Sequence, residues 1–334
     1  MRKSKDQKIQ RLLSLLRSAG SSGYVSGQSL AKRAEVSRSA VWKQVRGLRQ
    51  YGYEVESTRG MGYRLVSDTQ NPVPWELKKI LRATTIGKDV VYLPVAKSTQ
   101  SIALSIAEKN AEANGTVVIA EKQESGRGRQ KRKWFSPEGG LWFSVIHRPS
   151  IPTHSITLLP LVAALAVREA IAKTTKLDPQ LKWPNDIMIS RKKVAGILLD
   201  ISAEAEWVKY AVLGVGINAN VDASVISAMI NDTRGITTLR TELGHDVSRL
   251  ELLRLILENL ESHLGLLTRE GENEIISAWK KASDMIGRKV SVLQNNGVVH
   301  EGVAVDLGQD GSLILETESG RRMTINYGDV RVRY

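Results

Sequence analysis

The 334 residues exceed what one small domain needs, so two or three units are expected, at least one with a sizeable core. A formal net charge of +13 at pH 7 and a pI near 9.8 point to a polyanionic partner or an anionic substrate. The absence of cysteine excludes disulfides, thiolate zinc sites and a cysteine nucleophile.

The opening Met1-Arg-Lys-Ser-Lys-Asp-Gln-Lys8 is not followed by an apolar stretch of signal-peptide length, and charges interrupt every hydrophobic run before it could span a bilayer. A soluble, cytoplasmic protein with no membrane partner is expected. Ile9, Leu12, Leu13 and Leu16 then recur at the spacing of an amphipathic helix, which Gly20-Ser-Ser-Gly23 ends. Ser26 is placed to cap a short helix carrying Leu30 and Ala34. Ser37 is placed to cap a second helix that buries Val41, Val45 and Leu48 and turns Arg38, Ser39, Lys43 and Arg46 outward. Two short helices of this kind fit a helix-turn-helix reader of the DNA major groove. Tyr53 and Val55 on one run and Tyr63 and Leu65 on the next, separated by Arg59-Gly-Met-Gly62, add a hairpin whose basic tip would meet the phosphate backbone, making a winged helix. A small helical adaptor or dimerisation unit would show similar spacing, and the basic face with its capped helix starts favours DNA.

Asp68, Asn71, Pro72 and Pro74 mark a linker. Beyond it, strand and helix patterns alternate: a strand at Val90–Pro94, a helix capped by Ser98 and running to Lys109, strands at Thr116–Ala120 and Leu141–Ile146, and a helix from Ser155 to Lys173 that is apolar nearly all round and so buried. The run from Leu181 to Ile189, the turn at Ser190–Lys193 and the run from Val194 to Ile201 read as an antiparallel hairpin, with Trp207–Asn218 as the neighbouring strand, so the sheet is mixed or antiparallel. Helices at Ser248–Leu267 and Asn273–Ala282 close this unit. From Gly287 on, five short alternating runs separated by Asn-Gly, Asp-Gly and Ser-Gly turns suggest a small SH3-like β-barrel. The expected architecture is a multidomain α+β chain: a winged helix-turn-helix over 1–66, a linker over 67–74, a central α/β catalytic unit with a mixed sheet over 75–285, and the SH3-like unit over 286–334.

Chemistry concentrates in Glu124-Ser-Gly-Arg-Gly-Arg-Gln-Lys-Arg-Lys-Trp134. Glycine lets backbone approach a ligand, and the guanidinium of Arg127 or Arg129 offers a planar fork matched to carboxylate or phosphate. The same composition also suits a flexible nucleic-acid-binding segment, and this stretch alone does not decide between them. Further candidates lie on the same sheet: Lys182 ahead of a Pro184 turn that presents Asn185 and Asp186, Lys193 before Gly196, and Gly214-Val-Gly-Ile-Asn218. Lysines at hairpin ends are often only solvated tips. No Walker loop and no Rossmann glycine fingerprint is present.

Taken in order, Gly126-Arg-Gly-Arg-Gln-Lys-Arg-Lys-Trp134, Lys182-Trp-Pro-Asn-Asp186, Lys193-Val-Ala-Gly-Ile-Leu198 and Gly214-Val-Gly-Ile-Asn218 resemble the biotin protein ligases. With the helix-turn-helix ahead and the small barrel behind, the whole chain resembles the bifunctional type, ligase and biotin operon repressor in one. The resemblance implies that biotin and ATP form biotinyl-5′-AMP, which passes biotin to a lysine of biotin carboxyl carrier protein and serves as co-repressor for a homodimer on operator DNA. It implies that Ser98, Thr99, Gln100, Gln123, Arg127, Gly128, Arg129, Trp134, Lys193 and Gly196 contact biotin or the adenylate, with Lys193 and Arg129 catalytic. Lys182, Asn185, Asp186 and Asn218 are implied on the ATP side, Asp186 with Mg²⁺. Ser37, Arg38, Ser39, Lys43, Arg46 and Arg59 are implied for DNA.

The chain departs from the family where its loop more typically reads Gly-Arg-Gly-Arg-Arg-Gly-Arg-Lys-Trp: Gln130 and Lys131 replace an arginine and the third glycine. Lys97 stands for a usual aspartate and Asp200 for a common glutamate. A ligase for another acid such as lipoate, or a non-enzymatic metabolite-sensing regulator, are the alternatives. The lysines and the Arg-Gly-Arg triplet argue against the regulator, and the DNA-binding head argues against a lipoate ligase.

Overall fold

The computed structural model describes residues 2–20, 23–149, 153–204, 207–230 and 235–333. Ser21 and Ser22, in the turn expected to end the first helix, lie outside them. The chain divides into two compact units, Met1–Leu77 and Lys78–Tyr334.

The first unit holds α1 (Arg2–Arg17), α2 (Gly27–Ala34), α3 (Arg38–Gln50) and the hairpin β1 (Glu54–Thr58) and β2 (Gly62–Ser67). The hydroxyl of Ser26 accepts from the Ser29 backbone N–H, and that of Ser37 from Ala40, so both expected caps satisfy helix-start donors that would otherwise lack partners. Ile9, Leu12, Leu13, Leu16, Leu30, Val41, Val45 and Leu48 are buried together with Tyr53, Val55 and Leu65. Val55 pairs with Leu65 and Ser57 with Tyr63. Tyr63 is only half-buried, and its backbone is engaged in a two-way bridge with Val25. Gly62, at φ 112°, allows that bridge: a Cβ there would stand 2.2 Å from the Val25 carbonyl oxygen.

The segment expected as a linker is built into this unit. Asp68 pairs with Arg17 at 2.6 Å, and Thr69 donates to the Tyr51 carbonyl at 2.6 Å. At the start of α4 (Pro74–Ile80), Glu76 accepts from Arg17 and from the Tyr53 hydroxyl, which in turn accepts from the Trp75 indole. Burial and the adjacent Glu76 push the Tyr53 phenol well above its ordinary value.

The second unit is organised on a seven-stranded sheet in the order β3-β4-β5-β9-β8-β7-β6. Its strands are β3 (Val90–Ala96), β4 (Val117–Gln123), β5 (Leu141–His147), β6 (Gln180–Lys182), β7 (Asp186–Ile189), β8 (Lys192–Glu204) and β9 (Trp207–Ile217). β3 and β4 are parallel, so α5 (Thr99–Lys109) is their crossover, and the remaining pairs are antiparallel. The mixed sheet is as expected, but the run 181–189 is two strands: Lys182 ends β6, a turn with a cis Trp183–Pro184 bond follows, and Asp186 opens β7.

The apolar segment from Ser155 begins as a 3₁₀ turn over Thr153–Leu158 and continues as α6 (Leu159–Thr175). Contrary to the expectation that charges break every such run, its length and composition would suit a membrane span; here it is mostly buried and packs against β8 and α9 (Arg249–Glu270). Three short helices were not foreseen: α4, α7 (Ala223–Ile230) and α8 (Leu239–Leu243). α10 (Glu272–Lys281) precedes an antiparallel sheet of β10 (Lys289–Leu293), β11 (Val299–Leu307), β12 (Leu313–Glu316), β13 (Arg322–Ile325) and β14 (Asp329–Val332), in the order β13-β12-β11-β10-β14. The Trp183 indole donates to the Gly311 carbonyl at 2.9 Å and ties this sheet to the β6–β7 turn.

Candidate active site and nucleic-acid interface

A cavity of about 500 Å³ opens on the large sheet between α5, the Arg-Gly loop, the β6–β7 turn and β14. One half is a polar pocket sunk in the sheet. Ser98 caps α5 with its hydroxyl, which fixes the helix start over the sheet. Thr99 donates its backbone N–H and its hydroxyl to Gln123 Oε1, at 2.8 and 3.1 Å, and its hydroxyl also meets Ser144 Oγ at 3.0 Å. Ser144 in turn donates to Gln100 Oε1, while Gln100 Nε2 donates to Asp200 and to the Val212 carbonyl. Gln123 Nε2 is held by Ser136 Oγ at 2.8 Å. Such a network, with nearly every partner buried, sets side chains in one arrangement and can present fixed donors and acceptors to a small polar ligand.

The other half is cationic. The Arg-Gly loop is a small hairpin: Arg127 bridges Lys133, Gly128 donates to the Arg132 carbonyl, and Trp134 donates to the Gly126 carbonyl. Arg129 donates to Asn185 Oδ1 at 3.1 Å and lies 3.9 Å from Asp329. Arg132 forks onto both Asp329 oxygens at 2.8 and 2.6 Å. Arg127 faces Asp200 at 3.3 Å. Asp186 Oδ1 accepts no hydrogen bond of normal geometry and instead meets Lys193 Nζ at 2.5 Å. Burial pushes Arg129 below its ordinary value, against the pull of Asp329 and Asp186, and burial likewise lowers Lys182, with Asp186 opposing and Lys193 assisting. Cations held partly desolvated in this way gain most when an anion joins them.

The tip of the loop is left-handed. Gln130 and Lys131 have φ of 53° and 58°, a region that costs a side-chain-bearing residue about 1 kcal/mol or more. A lysine side chain thus occupies a left-handed position that glycine would take at no steric cost. Contacts from the C-terminal sheet hold it: Gln130 to Asn295, and Arg132 to Asp329.

Glycines on β8 and β9 give the cavity one of its walls. Gly196 and Gly216 are cross-strand partners, and a Cβ on either would meet the Trp134 ring, at 3.1 and 2.4 Å. They make room for the indole, and Gly196, expected beside the ligand, lines the cavity as well. Trp134 packs edge-on to Trp142 and carries Lys193 Nζ over its face at 5.1 Å, while its own Nε1 is buried without a hydrogen-bond partner. The ring is therefore both a core anchor and part of the cavity wall.

Thirteen of the expected site residues line this one cavity: Ser98, Thr99, Gln100, Gln123, Arg127, Gly128, Arg129, Trp134, Lys182, Asn185, Asp186, Lys193 and Gly196. Asn218 does not. It is buried, its amide donates to the Thr237 carbonyl, and its backbone joins Val194 to Leu239, so it braces the strand that carries Lys193. Residues the sequence reading did not assign are Ser144, Arg132 and Asp329. Ser144 carried a signal, a lone hydroxyl in the otherwise apolar run of β5. Among the described residues no three His, Asp or Glu side chains gather as a metal cluster.

In the N-terminal unit, Arg38, Ser39, Lys43 and Arg46 are exposed on α3 opposite its buried face. Ser26, Gly27, Arg38, Ser39, Arg59 and Gly60 line a groove of about 650 Å³ between the starts of α2 and α3 and the hairpin tip. Helix N-termini and arginines around one groove suit phosphate oxygens.

The central region, residues 92–218, matches the Biotin/lipoate A/B protein ligase family; residues 8–64 match an HTH domain and 285–333 the Biotin protein ligase C terminal domain. The bifunctional ligase/repressor BirA of Bacillus spizizenii is 36% identical over 310 residues, 92% of this chain and 94% of that protein. The BirA of Escherichia coli is 32% identical over 301 residues, 88% of each chain. The structure of the Aquifex aeolicus biotin protein ligase in complex with biotin and ATP superposes with a TM-score of 0.62 at 31% identity, covering 74% of this chain and 99% of that one. The chain therefore belongs to the biotin protein ligase family, in its bifunctional ligase/repressor form.

Proposed function

We propose that this protein joins biotin to ATP as biotinyl-5′-AMP, transfers the biotinyl group to a lysine of a biotin carboxyl carrier protein, and represses biotin genes as a winged-helix homodimer with the adenylate as co-repressor. The observation that carries this reading is the meeting of Arg127, Arg129, Lys182 and Lys193 in one cavity beside a preset polar pocket. Two anions must come together there. Their repulsion is offset only by positive charge that is already in place when the reaction begins.

In the first step a carboxylate oxygen of biotin attacks the α-phosphorus, the bond to the β-phosphate oxygen breaks, and pyrophosphate leaves. Lys193 lies beside both reacting groups and Arg129 holds the α-phosphate and the developing charge. Thr99, Gln100, Gln123 and the Arg127-Gly128 backbone grip biotin, with Ser98 setting the helix start above it. Lys182 and Asn185 take the nucleotide side. Mg²⁺ carried on a triphosphate needs only one or two protein carboxylates, and we assign Asp186 to it; when bound, the ion screens the phosphates. In the second step the neutral amine of the carrier lysine attacks the acyl carbon, AMP leaves, and the amine proton passes to solvent.

For DNA, Ser37, Arg38, Ser39, Lys43 and Arg46 face the duplex and Arg59 meets its backbone. Cytoplasmic residence follows from the substrates and from DNA as partner. The test incubates the protein with biotin, ATP, Mg²⁺ and a carrier domain and weighs the carrier: gain of one biotinyl group is expected, and no gain, or equal use of lipoate, contradicts the assignment. Retardation of a biotin-gene promoter fragment should strengthen when biotin and ATP are added.

A further inference from the structure

Trp42 lies in the middle of the exposed face of α3 with 54% of its surface in solvent. Single exposed apolar side chains are common and mean little alone. The setting of this one is particular. Arg38 precedes it by four residues, Ser39 by three, and Arg46 follows it by four, so the indole sits between two arginines at helical neighbour spacing, with Lys43 exposed about a third of a turn further round the helix. The Arg46 guanidinium stacks over the ring, 5.9 Å from its centroid, which restrains the ring on the outward face.

A cationic face complements the phosphates of a duplex, and Arg38, Lys43 and Arg46 serve that need without Trp42. An indole offers phosphate nothing but one N–H. What it does offer is a flat apolar face, and the major groove displays one apolar group on its base edges, the C5-methyl of thymine. Resting on the DNA-reading role proposed above, we propose that Trp42 is a specificity-determining residue of α3 that packs against thymine methyl groups in the major groove, with Arg46 stacked behind it to keep the ring in place. The basic neighbours supply affinity for any duplex, and Trp42 supplies preference for thymine at the positions it covers.

The experiment uses the full-length protein with biotin and ATP. A duplex is selected from a random library by the wild type, then remade with deoxyuridine in place of every thymidine, so that only methyl groups are lost. By fluorescence anisotropy the wild type should bind the deoxyuridine duplex roughly tenfold more weakly. Trp42→Ala should bind both duplexes alike, at about the wild type's affinity for the deoxyuridine form, with its salt dependence unchanged. Trp42→Phe should keep part of the preference. Lys43→Ala should weaken binding to both duplexes and lower the salt slope by about one. Circular dichroism melts of the Trp42 variants matching the wild type exclude misfolding. A wild type indifferent to the methyl groups, a Trp42→Ala variant that still discriminates, or a variant that instead changes the oligomeric state on a sizing column overturns the proposal. If the wild type selects no sequence at all, the DNA-reading role itself falls, and this proposal with it.

Discussion

A Cβ on Gly216 would stand 2.4 Å from the indole nitrogen of Trp134, and one on its cross-strand partner Gly196 would stand 3.1 Å from the same ring. The indole thus rests on bare backbone, and Lys193 rests on the indole. Gly216→Ala must push the ring outward, since its closest neighbour is a rigid aromatic. We expect a stability loss of about 1 to 3 kcal/mol from overpacking. Displacing the wall should also weaken retention of biotinyl-5′-AMP by roughly tenfold or more, about 1.4 kcal/mol. Denaturant melts and dissociation of labelled adenylate measure the two, and a stable variant with wild-type retention would remove Trp134 from the site.

Lys193 is paired with Asp186 at 2.5 Å. Lys193→Ala should cut adenylate formation by about 10²- to 10³-fold or more, the scale for losing a preset electrostatic group. Pyrophosphate release in the absence of carrier protein reads that step alone. Arg129→Ala should slow the same step and, in addition, speed loss of the adenylate once formed.

Lys182 is a cation whose folded pKa is lowered, burial being the largest cause. Such a group costs stability at every pH below its folded pKa, and the cost fades as pH rises toward the unfolded value near 10.4. Lys182→Met should therefore raise the melting temperature of the ligand-free protein, by about 2 °C, while lowering ligase turnover. The gain should shrink as pH rises toward the unfolded value. Scanning calorimetry across that rise decides it, and a variant less stable than the wild type at pH 7 would contradict the reading.

Asp329 in β14 forks onto Arg132 and lies near Arg129, and Asn295 touches Gln130. Asp329→Ala should free the strained tip, so amides in residues 128–132 should exchange roughly tenfold faster or more, with other protected amides of the large sheet unchanged. Lys131→Gly should do the opposite for stability, adding about 0.5 to 1 kcal/mol by relieving a left-handed side chain.

The boundary at Leu77 predicts where the chain can be cut. A fragment starting at residue 67 keeps Trp75 and Glu76 but loses Tyr53 and Arg17, their buried partners. A fragment of residues 78–334 should express and melt cooperatively with ligase activity and no operator binding, and the 67–334 fragment should aggregate more readily. The reverse order of solubility would sink the boundary.

Much of the site was legible because it is written in short local motifs. The Arg-Gly loop, the Lys182–Asp186 turn and the Lys193 strand each announce glycine, proline or cation at fixed spacing, and their order gave the family. Contacts across long sequence separations were not legible. Asp329 reaches the loop from 197 residues away, and no pattern near it marks that meeting. Pro72 and Pro74 read as a linker, yet Pro74 begins α4, the position where a missing N–H does no harm. Asn218 looked like a ligand residue because it ends a glycine-rich strand, and its amide is used inside the fold. Gly196 was read for room beside the backbone; it lines the cavity, and the Trp134 indole takes part of that room.

The central claim is that fixed cations in the second unit bring the biotin carboxylate to the α-phosphate of ATP. Single-turnover reaction of the protein with biotin and ATP labelled at the α-phosphate, without carrier, measures that event directly. The account predicts one labelled biotinyl-5′-AMP per active chain in the wild type, almost none in Lys193→Ala, and a product that escapes quickly from Arg129→Ala. Full, long-lived adenylate in both variants would contradict it.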